Sequence, residues 1–145
     1  EMNRISLVLV DLDLLRDVNN THGHRAGDAV IAAVGRILSS SSRSSDAVAR
    51  LGGEEFALLL PDTDLKTATM VGERLREMVA GTRIDTPSGP LAVTVSCGVA
   101  TRVGTETMES LFDRADTALY DAKNGGRNRV SVAGVNEPST VVGRR

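Results

Sequence analysis

Two glutamates follow a pair of glycines in Gly52-Gly53-Glu54-Glu55-Phe56, and a third carboxylate, Asp11, ends the apolar run Ile5 to Val10. An abrupt acid after such a run marks the C-terminal end of a buried strand, a common address for chemistry. If that strand lies beside the Gly-Gly turn, the three carboxylates meet. Their repulsion then needs relief, through raised pKa values or through a divalent cation. All-oxygen ligation suits Mg²⁺ or Mn²⁺. Glycines at 52 and 53 leave the backbone open to close approach by a bulky substrate. Together these features point to metal-assisted chemistry on a nucleotide phosphate. Solvated acids beside an ordinary Gly-Gly turn would carry the same letters, so the turn alone does not decide. Leu14, Leu15 and Arg16 open a short helix whose first N–H groups could hold phosphate oxygens. Lys123 and Arg127, near the end of the last helix, could add cationic contacts or serve only as partners for its C-terminal carbonyls.

These residues depend on the elements around them. Asp13 is expected to cap the helix from Leu14 to about Asn20, which Gly23 breaks. The next helix starts near Ala26 or Gly27 and carries Ala29, Val30, Ala33, Val34, Ile37 and Leu38 on one face. Ala47 to Leu51 and Glu55 to Leu60 form a hairpin about a two-residue Gly52-Gly53 turn. A helix from Leu65 to Ala80 buries Leu65, Ala68, Val71, Leu75 and Met78. Gly89-Pro90 introduces a strand from Leu91 to Val99, a long helix runs through Met108 to Ala122, and Arg129 to Val132 closes the sheet. Helices alternate with strands, but one strand pair is a tight hairpin. The fold class is therefore α/β, with a mixed central sheet flanked by helices. Residues 1–133 form one domain, and 134–145 read as a linker or disordered tail.

Composition narrows the partners. The net charge of −2 and an aromatic content of 2% exclude a general positive field and a stacking platform, so no nucleic-acid polymer is expected. Cys97 is the only cysteine and lies in an apolar stretch, where it fills core space. With no disulfide framework, signal peptide or spanning apolar run, a cytoplasmic location is expected, with a membrane tether possible through segments outside this chain. His22 and His24 lack the Cys or carboxylate neighbours of a metal site.

Four strings, VDLDLLRDVNNTHGHRAGD, RSSDAVARLGGEEFALLLPDTD, VTVSCGVA and ADTALYDAKNGGRNRV, occur in this order between Ile5 and Val132. Their order and spacing resemble the GGDEF family of diguanylate cyclases, with the GGEEF form of its signature. The resemblance implies a polymerase-palm-like fold and condensation of two GTP into cyclic di-GMP with release of pyrophosphate. It implies metal ligation by Asp11, Glu54, Glu55 and the Leu12 carbonyl, two Mg²⁺ or Mn²⁺ ions per half-site, and Glu54 as acceptor of the 3′-hydroxyl proton. Asn19 and Asp28 would read guanine; Leu14, Leu15, Arg16, Lys123 and Arg127 would hold the triphosphate beside Gly52 and Gly53. Since each GTP attacks the other, a homodimer is implied. Arg43, Asp46 and Arg74 resemble the family's inhibitory site for the product. A noncatalytic module sensing GTP or cyclic di-GMP is the competing reading, against which the three intact acids count.

Three departures stand out. Leucines occupy positions 14 and 15 where the family often has an aromatic, Arg16 stands for a usual lysine, and Asn20 for a common aspartate. The helix and turn that usually precede the first strand are not in this sequence, so a longer native protein is expected, with a neighbouring sensory or signalling domain.

Overall fold

The computed structural model describes residues 4–134. In chain order the elements are β1 (Ile5–Leu12), α1 (Leu15–His22), α2 (His24–Ser40), β2 (Ala47–Gly52), β3 (Glu55–Pro61), α3 (Leu65–Ala80), β4 (Ile84–Thr86), β5 (Gly89–Leu91), β6 (Val95–Thr101), α4 (Met108–Asn124) and β7 (Val130–Val132). Five strands form one sheet in the order β2-β3-β1-β6-β7, while β4 and β5 make a separate ribbon. Every pairing in the main sheet is antiparallel except β6 with β7, so the sheet is mixed, as the hairpin requires.

Position in the sheet explains each strand's pattern. β1 is central and buried over nearly all its length, whereas β3 alternates strictly, with Phe56, Leu58 and Leu60 turned into one core. That core joins them to Val8, Val10, Val95, Cys97 and Val99 beneath α1, α2 and α3. Leu7, Leu9 and Ala100 face the other way and are covered by α4 through Leu111, Ala115 and Leu119. On that side Ala57 and Leu59 are only partly buried, and β2 is exposed along most of its length. α4 lies close against β6 because residue 98 is glycine: a Cβ there would come within 2.8 Å of Leu119 Cα. Cys97 is fully buried, and burial pushes its thiol up to about 12, so it packs rather than reacts.

Helix ends follow local rules in two cases. Asp64 accepts from Thr67 N at 2.8 Å to start α3, and Thr107 accepts from Ser110 N at 3.1 Å to start α4. A buried ion pair fixes the approach to α4. Arg114 holds both carboxylate oxygens of Glu106 at 2.8 Å and also donates to the carbonyls of Thr101 and Gly134. The guanidinium holds the Glu106 carboxyl down to about 2.

Four local expectations are corrected. Asp13 does not cap α1; the cap position is Leu14, in left-handed geometry at φ 59° with no side-chain bond. α2 begins at His24, directly after the Gly23 corner. Gly89-Pro90 belongs to the β4-β5 ribbon, where proline's missing N–H is tolerated, and the central strand begins only at Val95. On α3 the buried stripe is Ala68, Gly72, Leu75 and Val79, which turns Met78 outward to meet the Ser41 hydroxyl at 3.6 Å. The tail expected over 134–145 lies, apart from Gly134, outside the described residues. No helix among them is long and apolar enough to cross a membrane.

Candidate active site

Strand register sets two of the three acids, Asp11 and Glu55, side by side. β1 lies between β3 and β6, and Asp11 sits opposite Glu55 on one side and Ser96 on the other. The next residue ties the hairpin tip to the strand end, through Leu12 N donating to the Glu54 carbonyl at 3.2 Å. The tip differs by one residue from expectation. Gly52 pairs with Glu55 after an irregularity between Arg50 and Gly52, so Gly53 and Glu54 form the turn. Gly52 and Gly53 both have positive φ, 151° and 47°, which explains glycine at both positions. Arg50, which the sequence did not single out, clamps the tip by donating to the Gly53 carbonyl at 3.0 and 2.8 Å.

Asp11 is 2% exposed, and a carboxylate so buried requires a counter-charge. Lys123 provides one, its Nζ 2.6 Å from Asp11 Oδ2. The end of α4 therefore lies at Asp11. Arg127 is exposed just beyond, in left-handed geometry at φ 63°, with its N–H on the Ala122 carbonyl at 3.0 Å.

The same strand end starts α1. The first amides bonded back to Leu14 O are those of Asp17 and Val18, so Leu14, Leu15 and Arg16 form the opening turn. Leu15 is buried and Arg16 exposed. Further along α1, Asn19 lies against α2 at Gly27, the residue before the exposed Asp28. A Cβ at 27 would collide with Asn19 Oδ1 and come within 2.9 Å of its Cγ. Asn19 Oδ1 is buried and has no hydrogen-bond partner among the described residues. A buried orphan acceptor is suited to a ligand carrying N–H donors.

Among the described residues no three carboxylate, imidazole or thiolate groups already converge as a metal cage. Mg²⁺ commonly needs only one or two carboxylates and completes its shell with waters and substrate phosphates, so the oxygen donors at Asp11, Leu12, Glu54 and Glu55 fit it.

Arg43, Asp46 and Arg74 are gathered elsewhere. Arg43 donates to Asp46 through Nη2 at 2.7 Å and through its backbone N at 2.9 Å, and reaches Thr63 Oγ1 at 2.9 Å. Burial pushes the Asp46 carboxyl up, but the bonds from Arg43 outweigh it and hold the group below the usual carboxylate range. With the exposed Arg74 they line a cleft of about 220 Å³ floored by Leu58 and Leu60. β2, six residues long, separates this cleft from the hairpin tip by roughly 20 Å.

Asp13 was missed as a site residue. It is buried and accepts from Thr94 Oγ1 at 2.6 Å, Ser96 Oγ at 2.7 Å and Asn128 N at 3.0 Å. These partners lie more than eighty residues downstream, and no local signal announces them.

A mixed sheet with acids at the ends of neighbouring strands and a lysine brought against one of them from α4 defines a nucleotidyl-cyclase-like α/β domain. The chain belongs to the GGDEF family: the model described as "Diguanylate cyclase, GGDEF domain" matches residues 1–129. Among curated relatives, Diguanylate cyclase DgcM of Escherichia coli strain K12 is 49% identical over 128 residues, which cover 88% of this chain and 30% of that protein. The GGDEF domain of DgcB from Caulobacter crescentus, solved in complex with c-di-GMP, superposes with a TM-score of 0.85 at 36% identity, covering 90% of this chain and 76% of that one. The active GGEEF domain of a diguanylate cyclase from Vibrio cholerae superposes at 0.84 with 27% identity, covering 91% and 84%. The resemblance read from the four strings is thus borne out for family and fold. This chain spans about a third of the length of the curated relatives it matches.

Proposed function

We propose that residues 1–133 are the catalytic domain of a diguanylate cyclase that condenses two GTP into cyclic di-GMP and releases pyrophosphate. The observation that supports this most is the register setting Asp11 opposite Glu55, with Lys123 drawn to Asp11 from the end of α4. Asn19 and Asp28 read guanine: the orphan Asn19 oxygen and the carboxylate accept from its N–H groups, which adenine does not match. The N–H groups at Leu14 and Leu15, with Arg16, Lys123 and Arg127, hold the triphosphate. Gly52 and Gly53 keep that wall free of side chains. Asp11, Glu54, Glu55 and the Leu12 carbonyl hold two Mg²⁺ or Mn²⁺ ions per half-site, which supply charge neutralisation at the α-phosphate and leaving group when bound.

Glu54 accepts the proton of the 3′-hydroxyl. That oxygen then bonds to the α-phosphorus of the GTP on a facing domain as the α–β P–O bond breaks and pyrophosphate departs in line. Each domain carries one GTP, so a homodimer is needed and two such steps close the ring. Product binds at Arg43, Asp46 and Arg74, whose guanidinium forks suit phosphate and the guanine edge. The relatives' greater length supports a sensory or signalling domain adjoining this one.

The test is incubation with GTP and Mg²⁺ over a range of protein concentrations, beside Glu54→Gln. Wild type yields cyclic di-GMP and pyrophosphate with a specific rate that rises with protein concentration. Glu54→Gln lowers turnover by about 10²- to 10⁴-fold. A wild type that binds GTP tightly and forms no cyclic dinucleotide is instead a noncatalytic nucleotide sensor.

A further inference from the structure

The geometry points to Asp13 as the positioning residue of the phosphate-binding loop: its buried carboxylate fixes where the backbone presents Arg127. This rests on the phosphate role proposed for Arg127.

Arg127 and Asn128 are consecutive non-glycine residues in left-handed geometry, at φ 63° and 49°. Such a pair is strained and persists only where its surroundings hold it. Besides the loop's own bond from Arg129 Nε to the Arg127 carbonyl at 3.1 Å, four bonds from separate elements do so. Arg127 N is held by α4 through the Ala122 carbonyl, and the Arg129 carbonyl accepts from Cys97 N of β6 at 2.9 Å. Arg76 of α3 donates to Asn128 Oδ1 at 3.0 Å. The fourth, Asn128 N to Asp13 Oδ2, ties the loop to the segment just beyond β1. Asp13 follows Asp11 by two residues, so the proposed metal carboxylate and the arginine loop share one origin. Thr94 and Ser96 donate to the same carboxylate, one to each oxygen, so its orientation is set by β6 and its approach. A 5%-exposed carboxylate with three neutral donors is costly to bury and contributes no apolar packing, which makes it an anchor rather than filler.

The experiment compares Asp13→Ala, Asp13→Asn, Arg127→Ala and the Asp13→Ala/Arg127→Ala double variant, with GTP and guanosine affinities measured by titration. Asp13→Ala is expected to weaken GTP about tenfold, leave guanosine within twofold, and add nothing further in the Arg127→Ala background. Asp13→Asn is expected to restore GTP binding to within about threefold, because its amide oxygen can accept from Asn128 N while its NH₂ donates to Ser96 Oγ. Equal weakening of guanosine and GTP, or additive effects of the two single changes, overturns the inference and leaves the cyclase reading standing. An Arg127→Ala protein that binds GTP as wild type does removes the phosphate role and this inference together. If Asp13→Ala does not fold, Asn128→Pro at the exposed loop position removes the same N–H and the left-handed φ, and unchanged GTP affinity there overturns the inference.

Discussion

Gly27→Ala separates stability from recognition, because the two effects have opposite signs. Position 27 is buried in the first turns of α2, and the atoms an added Cβ would meet all belong to the Asn19 side chain. Asn19 must rotate away, since its Oδ1 occupies the space the methyl needs. Replacing glycine by alanine in a helix is worth up to about 1 kcal/mol. The displaced group is the end of a mobile side chain and its oxygen forfeits no internal hydrogen bond, so the fold should be unharmed or slightly stabilised. If that oxygen accepts from guanine, its removal leaves a nucleobase donor unpaired, at a cost of about 1–3 kcal/mol. At 1.4 kcal/mol per tenfold, this is a roughly five- to hundredfold rise in the GTP dissociation constant. Thermal unfolding and GTP titration of wild type, Gly27→Ala and Asn19→Ala measure both sides. A Gly27→Ala protein with an unchanged melting point and unchanged GTP affinity would refute the placement of Asn19 in the base site. One that loses stability and affinity together would refute the claim that the two are separable.

Two further outcomes follow from the ion pairs. The Glu106 carboxyl is held near 2 in the folded state against an ordinary 4.5, which is worth about 3 kcal/mol at 1.36 kcal/mol per pH unit. A depressed carboxyl stabilises the fold fully above about pH 4.5 and loses that contribution as pH falls toward 2. Urea titrations should therefore show Glu106→Gln less stable by roughly 3–5 kcal/mol at pH 6, with a flatter decline below pH 4.5; parallel curves would contradict it. Arg43→Ala leaves the buried Asp46 side chain without its guanidinium partner, so stability should fall by about 1–3 kcal/mol while cyclic di-GMP affinity falls at least about tenfold. Identical product affinity in calorimetry would sink the inhibitory-site assignment.

How much of this was legible in the sequence depends on how far each residue reaches. The bounds of α3 coincide with expectation because its signals are local: Asp64 caps it, and Gly81 follows its last residue. The alternation in β3 and the apolar run of β1 likewise report burial directly. The hairpin was placed correctly, but its tip moved by one residue because a bulge beside Arg50 changes the register without leaving a compositional trace. Asp13 failed for the opposite reason. An aspartate ahead of a helix reads as a cap, yet its carboxylate is claimed by Thr94, Ser96 and Asn128, partners that only tertiary folding brings near. Local propensity yielded to a long-range contact.

The start of α1 carries the argument one step further. No local rule puts leucine in left-handed geometry, yet Leu14 holds φ 59°, 52% exposed and with no side-chain cap. Asp13 on one side is fixed by three hydrogen bonds and Leu15 on the other is buried, so the strain at Leu14 is imposed by neighbours that cannot move. Its effect is to turn the chain sharply from β1 into α1 and so set the opening turn beside Asp11. In the phosphate role proposed for it, that turn acts through backbone, which side-chain letters do not encode. Leucine at 14 is compatible with that role, because the two anchors shape the turn and the side chain at its apex is left to solvent.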